Sequence, residues 1–151
     1  MSFIDSLKQR AKQNIKTIIL TESEDVRVLE AASKVTKEGF AKIILIGNPD
    51  EANQLAHANN IDIARIPIIN PKTSEGYEEY VQAFYELRKA KGMTMEKAKE
   101  MLVDNMYFGT MMVKLGHADG LVSGASHSTS NTLRPALQIL KTAPGTKLVS
   151  A

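Results

Sequence analysis

Short runs of consecutive aliphatic residues alternate with longer amphipathic stretches along this chain. The runs are KTIIL at Lys16–Leu20, AKIILI at Ala41–Ile46, RIPII at Arg65–Ile69 and DGLVS at Asp119–Ser123. Each predicts a strand, and the consecutive aliphatics of the first suggest burial on both faces, as in a parallel sheet. Pro67 marks the third as an edge or bulged strand, because proline cannot donate to a ladder. KLVSA at Lys147–Ala151 predicts the beginning of a fifth strand.

Helical spacing fills the intervals. Phe3, Ile4 and Leu7 make a short apolar stripe at the N-terminus, with Lys8, Gln9, Arg10 and Lys12 toward water. Thr21 and Glu24 have capping-box spacing, ahead of a Val28, Leu29, Ala32, Val35 stripe that stops at Gly39. Asn48-Pro49 opens a further helix running to about Asn60. Helices are then predicted over Ser74–Lys91 (Tyr77, Tyr80, Val81, Phe84, Leu87), Thr94–Asp104 (Ala98, Met101, Leu102) and Phe108–Leu115 (Met111, Met112, Leu115). A last helix starts near Pro135, with Arg134 in its first turn and Leu133, Ala136, Leu137 and Leu140 toward the core. The methionines of the central segments read as soft packing between short helices.

Strands alternating with helices predict an α/β fold: a mainly parallel sheet with right-handed crossovers and helices on both faces. Residues 1–145 read as one α/β domain. Residues 146–151 read as the start of a second domain or of a crossover strand, and a strand opening there without its partner elements implies a domain cut near its far boundary.

Composition narrows the function class. The chain has 151 residues, 43 % hydrophobic and 24 % charged, with a formal net charge of +2. So small a charge, with few aromatics, argues against nucleic acid and against a membrane surface. The absence of cysteine removes disulfides, thiolate catalysis and cysteine metal sites. No apolar run approaches the ~20 residues of a membrane span, and the polar N-terminus lacks a signal-peptide core, which points to the cytoplasm.

The chemistry concentrates after the fourth strand. Gly124 and Ala125 allow a sharp turn, and Ser126, His127, Ser128, Thr129, Ser130, Asn131 and Thr132 form an unbroken polar run. At the carboxyl end of a parallel strand, with Arg134 nearby, this is a candidate site for phosphate or carboxylate. It is neither a P-loop nor a dinucleotide fingerprint. Some of these residues must also cap the helix. His127 could act as base or ligand, yet a hydrogen-bonding structural histidine is favoured, since His57 and His117 lie at no metal spacing from it. Arg88 sits on the apolar stripe of its own helix: either it snorkels to water, or it is a cation held at the mouth of a cleft. Glu22, Glu24 and Asp25 read as a charge bias at a helix start rather than a metal site.

The SGASHST and NTLRPALQ runs within Asp119–Thr142 closely resemble the phosphate acetyl/butyryltransferase family, and TIILTESEDVRVLEAA resembles it more loosely. The resemblance covers essentially the whole chain. It implies two isocitrate dehydrogenase-like α/β domains with the active site between them. It also implies an acyl transfer, acetyl-CoA + phosphate ⇌ acetyl phosphate + CoA, in a homodimer with no bound metal and with coenzyme A as substrate rather than tightly held cofactor. Carried over by position, Ser126, His127, Ser128, Thr129, Thr132, Arg134 and Arg88 fall at the phosphate and CoA side of the cleft. The wording HSTSNTLRPALQ favours acetyl over butyryl transfer; a non-catalytic acyl-CoA-sensing module is the alternative of another class. Family members are much longer, and their aspartate base and serine-arginine pair lie near their C-terminus. The resemblance therefore places no catalytic residue within this chain and expects it to be inactive alone.

Overall fold

In a computed structural model, residues 1–147 are described. Four parallel strands form one sheet: β1 (Lys16–Leu20), β2 (Ala41–Ile46), β3 (Ile68–Ile69) and β4 (Gly120–Val122), in the order β3-β2-β1-β4. The predicted fifth strand falls mostly on residues 148–151, outside the described residues.

Alternation within the strands explains the two cores. Leu20, Ile43 and Leu45 point to one face, where they meet Leu29 and Ala32 of α2 (Val26–Glu38) and Ala52 and Ala56 of α3 (Pro49–Ala58). Ile19 and Ile46 point to the other. There they pack with Val81 and Phe84 of α4 (Tyr77–Arg88), Ala98 of α5 (Met95–Met101), and Phe108 and Met111 of α6 (Asn105–Lys114). Both faces are covered, so both sets of side chains are aliphatic, as a parallel sheet requires. Met111 and Met112 are core residues, and Met93, Met95 and Met101 pack against that core.

Several local expectations need correction. The strand predicted over Arg65–Ile69 is reduced to Ile68–Ile69 at the sheet edge; Pro67 contributes only its carbonyl, which accepts from Leu45 N at 2.9 Å. The Thr21–Glu24 capping box does not form. Thr21 is buried beneath the sheet end and Asp25 caps α2 by accepting from Arg27 N. Asp104 does not close α5. It caps α6, accepting from Met106 and Tyr107 N, so α6 starts earlier than the apolar pattern suggested. The predicted Ser74–Lys91 helix is α4 followed by a 3₁₀ turn at Lys89–Lys91. A capping box at Ser2 and Asp5 opens α1 (Phe3–Gln13), whose apolar stripe is exposed, Phe3 at 77 %.

The last helix departs furthest. α7 runs Thr129–Pro135 with Ser128 as its cap, so Pro135 and Arg134 lie in its last turn, not its first. Proline has no N–H for the Asn131 carbonyl, and the α-helical ladder gives way to a π-helical turn over Ala136–Leu140, closed by Lys141 N on Ala136 O at 2.9 Å. The change of pitch rotates the buried face: Pro135 and Ile139 enter the core, while Leu137 and Leu140 are exposed.

Among the described residues no helix is long and apolar enough to cross a membrane.

Gly47, at the end of β2, has φ +155°, and a Cβ there would lie 1.9 Å from Ser23 Oγ. Gly47→Ala should therefore destabilise the chain by roughly 1–3 kcal/mol, measured as a lower midpoint in urea unfolding; an unchanged midpoint would show that the β1 and β2 ends are not packed this tightly.

Candidate functional site

The parallel register sets the site. Leu20 pairs with Val122, so the residues beyond the ends of β1 and β4 emerge side by side at the carboxyl edge of the sheet. On β1's side the chain continues as Thr21-Glu22; on β4's side it continues as the Ser123–Ser128 loop. Gly124 takes φ +113°, turning the backbone so that successive N–H groups face one point.

That point is the Glu22 carboxylate. Oε1 accepts from Gly124 N at 2.7 Å, Ala125 N at 2.9 Å and Ser123 Oγ at 3.2 Å. Oε2 accepts from the Ser126 amide, from Ser126 Oγ at 2.8 Å, and from His127 Nδ1 at 2.8 Å. Thr21 Oγ1 donates to Ser123 Oγ at 2.9 Å, and Arg27 Nη2 donates to Ala125 O at 2.8 Å, which ties the loop to α2. The side chain of Glu22 is 2 % exposed. Burial opposes its ionisation, but the hydrogen bonds from His127, Ser126 and Ala125 outweigh burial and hold the carboxyl well below its ordinary value. The His127 imidazole is pushed above its ordinary 6.5, first by its bond to Glu22 and against some desolvation.

The predicted residues therefore divide. Ser126 gives both its amide and its hydroxyl to Glu22. Ser128 caps α7, accepting from Asn131 N at 3.2 Å. Thr129 is exposed at the first position of that helix. Thr132 Oγ1 is enclosed with no hydrogen-bond partner. His127 and Arg134 come together in a cleft of about 230 Å³, closed by Asp104, Tyr107 and Asn131. Arg88 does not line that cleft, yet it lies close to it. Burial raises the Tyr107 phenol's pKa, and the charges of Arg134 and of Arg88 both act against that rise. Arg88 Nε is enclosed without a partner, which does not suit an arginine that merely snorkels to water.

Tyr107 and Asp104 were not foreseen, and Glu22 was read only as helix-start charge. One signal existed for Glu22: a run of small residues after a strand leaves several backbone N–H groups needing an acceptor, and a glutamate follows the neighbouring strand. Among the described residues no cluster of histidine, aspartate and glutamate is placed to hold a metal ion. A cavity of about 450 Å³ lies at the opposite edge of the sheet near Ile15, Lys42 and Arg65, and none of these groups lines it.

A carboxyl-edge loop rich in hydroxyls, with an arginine and a histidine lining one small cleft, is an arrangement for holding an anion. Residues 2–151 match the family model described as phosphate acetyl/butaryl transferase. The chain belongs to that family. It is 56 % identical to the phosphate acetyltransferase of Acetivibrio thermocellus and 54 % identical to that of Thermoanaerobacterium thermosaccharolyticum, in each case over the whole chain and 45 % of the relative. Among solved structures, the EutD phosphotransacetylase of Staphylococcus aureus superposes with a TM-score of 0.89 at 47 % identity, over 96 % of this chain and 44 % of that one. A phosphotransacetylase from Streptococcus pyogenes gives 0.91 at 40 %, over 98 % and 46 %. The chain thus spans less than half the length of the family members it matches.

The Glu22–His127 pair makes a pH prediction for this chain. Glu22 has a lowered folded pKa, so its contribution is complete above its ordinary 4.5 and drains away as pH falls through the folded value. His127 has a raised one, so its contribution is complete below 6.5 and is lost as pH rises through the folded value. The two overlap between those limits. The loss of melting temperature caused by His127→Gln should be larger at pH 5.5 than at pH 9, as read by scanning calorimetry; an equal loss at both would disprove the charged pair.

Proposed function

We propose that this chain forms the phosphate-holding wall of an enzyme that moves an acetyl group between coenzyme A and inorganic phosphate. The observation that carries the reading is the pairing of His127 with Arg134 across the carboxyl-edge cleft, in a chain whose named relatives are phosphate acetyltransferases. Those names support acetyl over butyryl transfer. In this reading residues 1–145 are the N-terminal domain, residues 146–151 lead toward a second one, and the enzyme works in the cytoplasm as a homodimer on acetyl-CoA and phosphate.

The chemistry is an exchange at a carbonyl. A phosphate oxygen attacks the acetyl thioester carbon, the carbon–sulfur bond breaks, and CoA leaves as thiolate; the reverse needs a base to make that thiolate. This chain's part is electrostatic. Arg134 offers a planar fork of donors to the phosphate, and protonated His127 offers Nε2–H beside it. Arg88 adds positive potential near Tyr107, while Thr129 supplies an exposed hydroxyl at the start of α7. Donors fixed before the reaction cost no reorganisation when charge develops on the transferred group. Two of the carboxylates nearest the cleft have structural work: Glu22 accepts from the loop and Asp104 caps α6. The base and the donors for the acyl oxyanion are assigned to the part of the relatives' length that this chain does not span.

Two measurements test this. Thioester formation from acetyl phosphate and CoA should be undetectable with the 151-residue chain and restored in a chain extended to the relatives' full length. Turnover by the short chain at a comparable rate would refute the assignment of the base. In the extended enzyme, Arg134→Gln should weaken phosphate binding by about 10- to 100-fold, the worth of one charge-assisted pair, read as a raised KM for phosphate; an unchanged KM would remove Arg134 from the site.

A further inference from the structure

Glu22 is a buried carboxylate whose only ion-pair partner, among the described residues, is His127. Burying a charge is costly, and a loop held by apolar contacts would avoid that cost. This loop has none to offer: Gly124 through Asn131 are all exposed. Its shape instead comes from donors that converge on one acceptor, namely three consecutive amides, two hydroxyls and one imidazole nitrogen. Only a carboxylate accepts from all of them. An amide of the same size would turn an NH₂ toward the Ser126 amide or the Gly124 amide.

The same contact settles which histidine nitrogen serves the cleft. Nδ1 is 2.8 Å from Glu22 Oε2, so it carries the proton, and Nε2 is the nitrogen left over. His127 lines the cleft with Arg134, and its imidazole is 43 % exposed. Free histidine prefers the opposite neutral form, with the proton on Nε2.

We propose that Glu22 is a positioning residue for the phosphate site: it folds the Ser123–Ser128 loop around its carboxylate and holds His127 in the Nδ1–H form, with Nε2 left to the anion beside Arg134. The proposal rests on the reading of this cleft as the phosphate site. Charged groups reach His127 from several elements: Glu22 and Glu24 after β1, and Asp104 at the start of α6, favour its protonation, while Arg134 of α7 shares its cleft. Below its pKa, His127 presents two donors, one to Glu22 and one to the anion. Above it, Nε2 becomes an acceptor and repels the anion's lone pairs.

The test uses the isotopically labelled 151-residue chain and sulfate, whose charge stays constant over the range in which phosphate itself titrates. Long-range ¹H–¹⁵N spectra report the His127 tautomer, and shift titrations report the sulfate Kd. The neutral imidazole should be the Nδ1–H form in the unaltered chain. Sulfate should bind more weakly as pH rises through the His127 pKa. In Glu22→Gln the imidazole should move toward the Nε2–H form, its pKa should fall, and sulfate affinity should drop about tenfold. Arg134→Gln should lower sulfate affinity without moving the tautomer. An Nε2–H imidazole in the unaltered chain would overturn the proposal, and that measurement needs no variant to fold. Unchanged tautomer and affinity in Glu22→Gln would overturn it as well. If the unaltered chain bound no sulfate while the tautomer behaved as expected, the phosphate reading would fall and the hold of Glu22 on His127 would stand.

Discussion

One carboxylate organises the carboxyl edge of this sheet. Glu22 leaves the end of β1 and gathers the polar donors of the loop that leaves β4. Without an acceptor there, three amides at a sheet end would each lack a partner in a place that water reaches poorly. The cost of burying the charge is met by many short hydrogen bonds rather than by a lysine or arginine. The contact also crosses a hundred residues of sequence, so it forms only once β1 and β4 have paired in register.

The site therefore has two layers. The inner one is Glu22 with the backbone and hydroxyls that enclose it; it is closed and makes no direct use of a ligand. The outer one is the cleft of His127, Arg134, Tyr107, Asp104 and Asn131, where charge faces open space. His127 belongs to both, bonded inward through Nδ1 and lining the cleft outward. The π-helical turn after Pro135 contributes to the outer layer as well. It places Gln138 to accept from Tyr107 Oη at 3.0 Å, and so fixes the phenol where it lines the cleft.

This separation explains why a run of hydroxyls is a poor guide to which hydroxyls meet ligand. Ser126 looks like its neighbours in the sequence, yet it serves Glu22. Ser128 serves the helix as a cap. Thr132 points its oxygen into an enclosed space with no partner. Each role follows from where the turn at Gly124 and the start of α7 carry the side chain, and nothing in residue type distinguishes them.

What the sequence determined by itself was the set of elements and their layering. Runs such as KTIIL and AKIILI could only be strands buried on both faces, and the alternation of strand and helix required a parallel sheet with helices on either side. Local chemistry also fixed Gly39 as a helix stop, Asn48-Pro49 as a helix start, and Pro67 as an edge residue, since each depends on φ or on a missing N–H. The tertiary structure decided the rest. The pairing of Leu20 with Val122 brought Glu22 to the loop. The cap at Ser128, not the proline, set where α7 begins, which moved Pro135 and Arg134 to its far end. The two arginines were visible as unusual charges, but their convergence near Tyr107 required α4, α6 and α7 to pack together. Periodicity reports which face of one element is buried; it carries no information about which two distant segments meet.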